Sequence, residues 1–129
     1  KKLHNLQIIS KLVVVKHQHY FSAYAQLHNK FRQILGICKD FARNRVNDLG
    51  NVPRCGAVPK FSDLEVIALG ITAEAFHFDS ENYLFYRLHH ECKKDLPNLI
   101  SRRQFNARRK LTARLAEDIR SDVAMAIDV

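Results

Sequence analysis

A basic cluster near the C-terminal end of the sequence holds the residues best suited to chemistry. Residues 102–114 contain six arginines or lysines and no acidic residue. Arginine suits guanine O6 and N7, carboxamides suit adenine, and cationic side chains also bind phosphates. The candidate contacts to DNA are therefore Arg102, Arg103, Gln104, Asn106, Arg108, Arg109 and Lys110. The first four are expected nearest the bases, and the last three near phosphates.

The basic cluster needs a helix to present it, and the sequence predicts one. Ser101 and Gln104 have the spacing of a capping box, in which the serine hydroxyl accepts from the Gln104 amide and the glutamine side chain reaches back. Apolar residues recur at helical spacing from Phe105 onward, which predicts one long final helix. Recognition helices of helix-turn-helix proteins present their N-terminal residues to base edges. We therefore expect the last three helices, at about 62–77, 80–94 and 101–127, to form a helix-turn-helix-like arrangement.

A second apolar periodicity lies in the first half of the chain. Eight apolar residues between Leu27 and Val46 recur at steps of three and four. This pattern predicts a helix over residues 24–49, with Gly50 in the position of a helix-closing glycine.

The remaining helix signals complete an all-α prediction. Ser62 and Glu65 form a second capping box, and Asp79 or Ser80 can cap the next helix. The first twenty residues also allow a helix, and strand-like alternation is nearly absent. The expected fold is all-α with four to five helices, and the expected domains are an N-terminal extension at 1–26 and a helical domain at 27–129.

The composition is that of one globular domain. Its 129 residues are 47% hydrophobic and 26% charged, with four glycines and three prolines, which argues against a disordered or collagen-like chain. No run approaches the roughly 20 apolar residues that span a bilayer, and no signal-peptide pattern occurs. Three cysteines form no close pair, so a disulfide framework is not expected. These features predict a reduced, cytoplasmic protein without a membrane partner.

The net charge of +8 and the pI near 9.7 indicate a polyanion as partner. The charge is concentrated at the two ends: residues 1–49 carry nine basic and two acidic residues, a net +7, and residues 101–129 carry seven and four, a net +3. The segments 50–76 and 77–100 each carry a net −1. This distribution suits a packed middle flanked by phosphate-binding surfaces. The alternative is a solvated basic face that serves solubility.

Metal binding and catalysis find little support in the residues. His89 and Cys92 are one helical turn apart and could make one zinc-ligand pair, but no second pair is convincing. His17 and His19 are the other close histidines. The sequence has no nucleophile elbow, phosphate-binding glycine loop or HExxH motif. No catalytic, cofactor-binding or metal-binding residue is therefore assigned.

Several phrases of the sequence together resemble a family of bacterial insertion-sequence transposases. The resemblance covers residues 27–128. It is carried by GNVPR at 50–54, PKFSDLEVIAL at 59–69, TAE at 72–74, DSENYLF at 79–85 and LPNLISRRQFN at 96–106, followed by Arg108 and Arg109.

The resemblance implies a helical N-terminal transposase region that recognises the terminal repeats of its own element. In this family a ribonuclease H-like domain of the DDE type follows, and its three acidic residues and two Mg²⁺ ions cut and join DNA. No residue here matches its first catalytic aspartate, and Asp128 is not assigned to that role. DNA cleavage is therefore not assigned to this chain, and Mg²⁺ is expected only for the catalytic domain.

Two other interpretations stay open. The helix that carries the apolar residues 27–46 could pair with a second copy, which would make the chain a homodimer or a protein-interaction module. The chain could also be a nonfunctional remnant of a truncated transposase, in which case it would melt in a broad, weak transition.

Overall fold

The computed structural model describes residues 23–128, and the side chains of residues 26–122. Five α-helices follow one another along this part of the chain, which contains no strand, so the all-α prediction with four to five helices is confirmed. None of these helices combines the length and the apolarity that crossing a bilayer requires. The helix expected in the first twenty residues lies outside the described range. The helices are α1 (Ala23–Phe41), α2 (Asp63–Ala75), α3 (Glu81–Glu91), α4 (Arg102–Leu111) and α5 (Ala113–Asp128).

α1 ends at Phe41, well before the predicted end at residue 49. The Asn47 side-chain oxygen accepts hydrogen bonds from the backbone N–H groups of Leu49 and Asn51 at 2.9 and 3.1 Å. Such a side chain offers the backbone an alternative to helical hydrogen bonds. Gly50 is left-handed, with φ 84°, but it lies in this turn. The predicted helix end and the helix-closing role of Gly50 are therefore wrong.

The helix starts predicted from capping residues are confirmed. The Ser62 hydroxyl accepts from the Glu65 amide at 3.1 Å, and the Ser62 amide donates to the Glu65 carboxylate at 2.8 Å. Ser101 and Gln104 exchange the same two hydrogen bonds at 3.1 and 3.0 Å. Ser80 caps α3 through its hydroxyl. Because Ser101 fixes the start of α4, the basic cluster begins in the first turn of that helix.

The single long final helix of the prediction is divided at Thr112 into α4 and α5. The Thr112 hydroxyl donates to the backbone carbonyl of Arg108 at 2.9 Å. A threonine bonded back to the preceding turn bends a helix. The backbone hydrogen bond from Thr112 to Arg108 is kept, so the interruption is one residue long. α4 therefore carries the basic cluster, while α5 returns Leu115 and Ile119 to the core.

α2 packs mainly against α1 and also contacts α4. Its apolar side chains are buried around most of the helix, as expected for an element covered on several sides. α1 covers it with most of the predicted apolar residues of 27–46, so the same chain already occupies the face proposed above for a homodimer. The buried members of that set are Leu27, Phe31, Ile34, Leu35, Cys38 and Ala42.

Candidate nucleic-acid interface

A carboxylate in the first turn of α2 joins three parts of the chain. Asp63 is fully buried, and its two oxygens accept hydrogen bonds from the guanidinium groups of Arg54 and Arg108, each at 2.7 Å. The Val52 amide donates to the same carboxylate at 2.9 Å, and the Asp63 amide donates to the side-chain oxygen of Asn51 at 2.9 Å. Asp63 therefore ties the preceding loop and α4 to the start of α2.

These donors keep Asp63 charged in spite of its burial. Burial raises the pKa of a carboxyl group because it disfavours the charged form, but the hydrogen bonds from Arg108, Arg54 and the Val52 amide outweigh it. The pKa of Asp63 therefore lies below its ordinary value. The positive end of the α2 dipole also favours the negative charge.

Among the predicted DNA contacts, Arg108 is the one most fully engaged by other residues of the protein. Its side chain is only 17% exposed, and the guanidinium group is bound to Asp63. This ion pair fastens α4 to α2, so the charge of Arg108 is already neutralised inside the fold. Sequence reasoning could not find the pair because the two residues lie 45 positions apart.

Three other predicted contact residues converge on Glu81 at the start of α3. The Asn106 side-chain amide donates to both Glu81 carboxylate oxygens at 3.1 Å. Nε of Arg109 donates to the same carboxylate at 3.1 Å, and Nη2 of Arg109 and Nη1 of Arg102 lie 3.0 and 3.9 Å from it. Both arginine side chains are about half exposed. One carboxylate therefore faces two guanidinium groups, and this corner keeps a net positive charge.

Each of the two carboxamide side chains among the predicted DNA contacts already makes a hydrogen bond within the protein, through either its oxygen or its nitrogen. Gln104 accepts from the Ser101 amide through its side-chain oxygen at 3.0 Å, and Asn106 donates its side-chain nitrogen to Glu81. Bidentate recognition of adenine uses both the oxygen and the nitrogen of one carboxamide. Either side chain would therefore have to release a bond within the protein to read an adenine in this way.

The outer face of α4 carries the basic side chains that remain open. Arg103, Ala107 and Lys110 are exposed on α4, four and three residues apart, a spacing that places them on one side of that helix, and the exposed Arg114 follows in the first turn of α5. Among the described residues, no carboxylate lies within 4 Å of the three basic groups. We call these four residues the open basic face. Arg114 was not among the predicted contacts, although its spacing from Arg103 and Lys110 is visible in the sequence.

The described part of the chain holds no group of three or more residues suited to a metal ion. His89 is exposed while Cys92 is buried, and His17 and His19 lie outside the described range. Burial and the nearby carboxylates of Glu91 and Asp95 raise the pKa of Cys92 to about 11. That thiol is therefore protonated at neutral pH.

Over residues 23–128, the fold and the site together define an all-α arrangement of five helices, in which buried and half-buried ion pairs fasten a basic helix to its neighbours. The sequence matches no protein-family model. Neither a curated protein nor a solved structure shows a significant match to it. The function is therefore inferred from the residues of the chain itself.

Proposed function

We propose that this chain is a DNA-binding module, the N-terminal region of an insertion-sequence transposase, which recognises the ends of its own element. The observation that carries the proposal is the open basic face of α4. Arg103 and Lys110 on one side of α4, with Arg114 in the first turn of α5, have no carboxylate partner among the described residues and suit the phosphates of a duplex. The family resemblance of the sequence supplies the biological context.

The surroundings of α4 support the proposal because they hold the helix rigidly. The Arg108–Asp63 ion pair fastens it to α2, and Phe105 packs within its buried face, with its ring 5.3 Å from that of Phe85 on α3. Side chains on a rigid element lose less freedom on binding than those on a flexible segment. A fixed α4 therefore presents its exposed cations in one orientation.

The contacts within the protein suggest different roles for the seven predicted residues. Arg103 and Lys110 are open to phosphates, together with Arg114. Arg102 and Arg109 are half exposed and share Glu81, so each can turn toward DNA while the other keeps the carboxylate. Arg108 positions the helix. Gln104 and Asn106 read bases only after releasing a bond within the protein.

A salt titration of DNA binding tests the proposal. The probe is a fluorescent duplex that carries the terminal repeat of the encoding element, compared by anisotropy with a mixed-sequence duplex of equal length. The variant Arg103→Gln/Lys110→Gln removes two open cations and leaves the ion pair of Arg108 intact. If both cations bind phosphates, the slope of log K against log salt falls by about 1.8, since each lost contact removes about 0.9.

A matched variant controls for the loss of net charge. Lys93 and Lys94 are exposed after the end of α3, away from α4 in sequence, and Lys93→Gln/Lys94→Gln removes the same two charges. We expect this variant to keep the wild-type slope. Equal slopes for both double variants would refute α4 as the contact surface, and failure of the wild type to bind either duplex at low salt would refute DNA binding altogether.

A further inference from the structure

A second basic surface lies on α1, which the proposed function leaves unused. Arg32, Lys39 and Arg43 are exposed and line a cleft of about 450 Å³ between the second half of α1 and the start of α2. Arg32 and Lys39 lie seven residues apart on one side of α1, and Arg43 follows two residues after the end of that helix. We call this the α1 cleft.

The cations of the α1 cleft are weakly neutralised. Arg43 lies 3.7 Å from Asp40, and both side chains are about three-quarters exposed, so this pair is a weak one. Among the described residues, no carboxylate lies within 4 Å of Arg32 or Lys39. On the opposite wall, Glu65 is bound to the Ser62 amide, as part of the capping box of α2. The exposed carboxylate of Asp48, on the loop between α1 and α2, also lines the cleft. The α1 side is therefore the cationic side of the cleft, with three cations against the two carboxylates of Asp48 and Glu65.

A glycine in the middle of the same basic face is an independent sign of close approach. Gly36 is exposed within α1, one turn after Arg32 and three residues before Lys39. It does not itself line the α1 cleft but follows Leu35, which does. A glycine inside a helix is unfavourable compared with alanine, and it is found where a ligand or another backbone comes near. A Cβ atom on Gly36 would meet nothing within 4 Å, so packing among the described residues does not require this glycine. A partner that touches the helix backbone would account for it.

The dimensions and charge of the face favour a nucleic acid strand as that partner. From Arg32 to Lys39 the helix rises by about 10 Å, and a DNA strand carries one phosphate for about each 3.4 Å of the duplex axis, so both cations can reach phosphates of one strand. The N-terminal segment 1–22 is a poor occupant, because it carries four lysines and no acidic residue and would be repelled. A polyphosphate backbone has the opposite charge along its whole length.

We propose that the α1 cleft binds the phosphate backbone of double-stranded DNA as a second, sequence-independent contact site separate from the open basic face of α4. The inference rests on the proposed function in one respect, namely that DNA is the ligand. Gly36 lets the strand approach α1, while Arg32, Lys39 and Arg43 bind its phosphates. Such contacts hold the protein on a duplex and fix its orientation without reading sequence.

The experiment measures the salt dependence of binding to a mixed-sequence duplex for Arg32→Gln/Lys39→Gln beside Lys93→Gln/Lys94→Gln. If the first pair binds phosphates, its slope falls by about 1.8 and its affinity at 0.1 M salt falls by roughly 60-fold, while the second pair keeps the wild-type slope. A slope equal to that of the control overturns the inference. Tighter binding of an RNA duplex of the same sequence by the wild type also overturns it.

The variant Gly36→Ala should change DNA affinity and protein stability in opposite directions. Alanine is a better helix former and has room here, so we expect the melting temperature to rise by about 2–6 °C. The same change should weaken DNA binding at least 5-fold, because the methyl group stands where the strand approaches. Unchanged binding by this more stable variant would overturn the role given to Gly36.

The α4 variant Arg103→Gln/Lys110→Gln is measured in the same series to separate the two proposals. A lower slope for the α4 variant and an unchanged slope for the α1 variant refute only the second site. The reverse result refutes the assignment to α4 and supports the α1 cleft. Absence of DNA binding by the wild type refutes both.

Discussion

Replacing the buried Asp63 by asparagine should cause a large loss of stability. The carboxylate is fully buried and accepts hydrogen bonds from Arg54 and Arg108 at 2.7 Å and from the Val52 amide at 2.9 Å. The asparagine side chain would keep the shape but lose the charge, and the largely buried Arg108 guanidinium would be left without its counter-ion. Breaking one partner of a buried ion pair costs about 3–5 kcal/mol. Because Arg54 is about one-third exposed and regains water, we expect about 3 kcal/mol.

Urea unfolding followed by helical circular dichroism measures this loss. With a slope of about 1.5 kcal/mol per molar urea, a loss of about 3 kcal/mol moves the midpoint down by about 2 M. The control is Asp40→Asn, which removes an aspartate that is 74% exposed and 3.7 Å from Arg43. Exposed pairs contribute at most about 1 kcal/mol, so the control midpoint should move by less than about 0.7 M.

The pH dependence of the same experiment identifies the charge as the cause. The pKa of Asp63 is lowered in the folded protein, so its contribution is fully present above the ordinary value of 3.8 and is lost as pH falls through the folded value. The difference between wild type and Asp63→Asn should therefore be largest at neutral pH and shrink as pH falls below 3.8. A difference no larger than that of the Asp40 control, or one that grows with acid, would refute the ion-pair explanation.

The caps, the thiols and Glu81 each give a further prediction. Ser101→Ala removes the N-cap of α4 and should lower the free energy of unfolding in urea by about 1 kcal/mol. An unchanged free energy of unfolding would mean that the cap is dispensable. At pH 8 a thiol reagent should modify the exposed Cys55 alone, because the other two cysteines are buried. Burial raises the pKa of Cys38 to about 12, and the pKa of Cys92 is raised to about 11. Labelling of three thiols in the native protein would contradict this burial. Glu81→Gln removes the carboxylate that faces two arginines of α4. It should tighten binding of a DNA duplex about 3-fold at low salt, the effect expected of one partly screened charge. Weaker binding would mean that Glu81 orients those arginines for DNA.

The helix starts were accessible from the sequence because capping is a local interaction. Ser62 and Ser101 bond to residues three positions away, so their spacing alone predicts the hydrogen bonds that form. Two interruptions were not accessible in this way. α1 ends at Phe41, before the turn in which the Asn47 side chain accepts two backbone hydrogen bonds, and Thr112 divides the last predicted helix, although apolar periodicity continues across both.

The candidate interface also has features that the sequence predicts and features that it does not. Sequence placed Arg103 and Arg108 together in one basic cluster, yet the structure leaves the first exposed and binds the second to Asp63. Nothing in the spacing distinguishes them, because the partner is distant along the chain. The basic residues of α1 are part of the positive charge that the sequence shows in residues 1–49. The cleft that they line beside the start of α2 depends on how the two helices pack.

The sequence by itself determined the all-α class, the capped starts of three helices and the concentration of positive charge at residues 102–114, because each depends on composition or on neighbours within one helical turn. Only the tertiary structure decided which of those charges face solvent. Asp63 and Glu81 come from other helices, and it is their position beside α4 that pairs some arginines and leaves others open. Long-range ion pairs form between residues that packing brings together, and packing joins residues that are far apart in the chain.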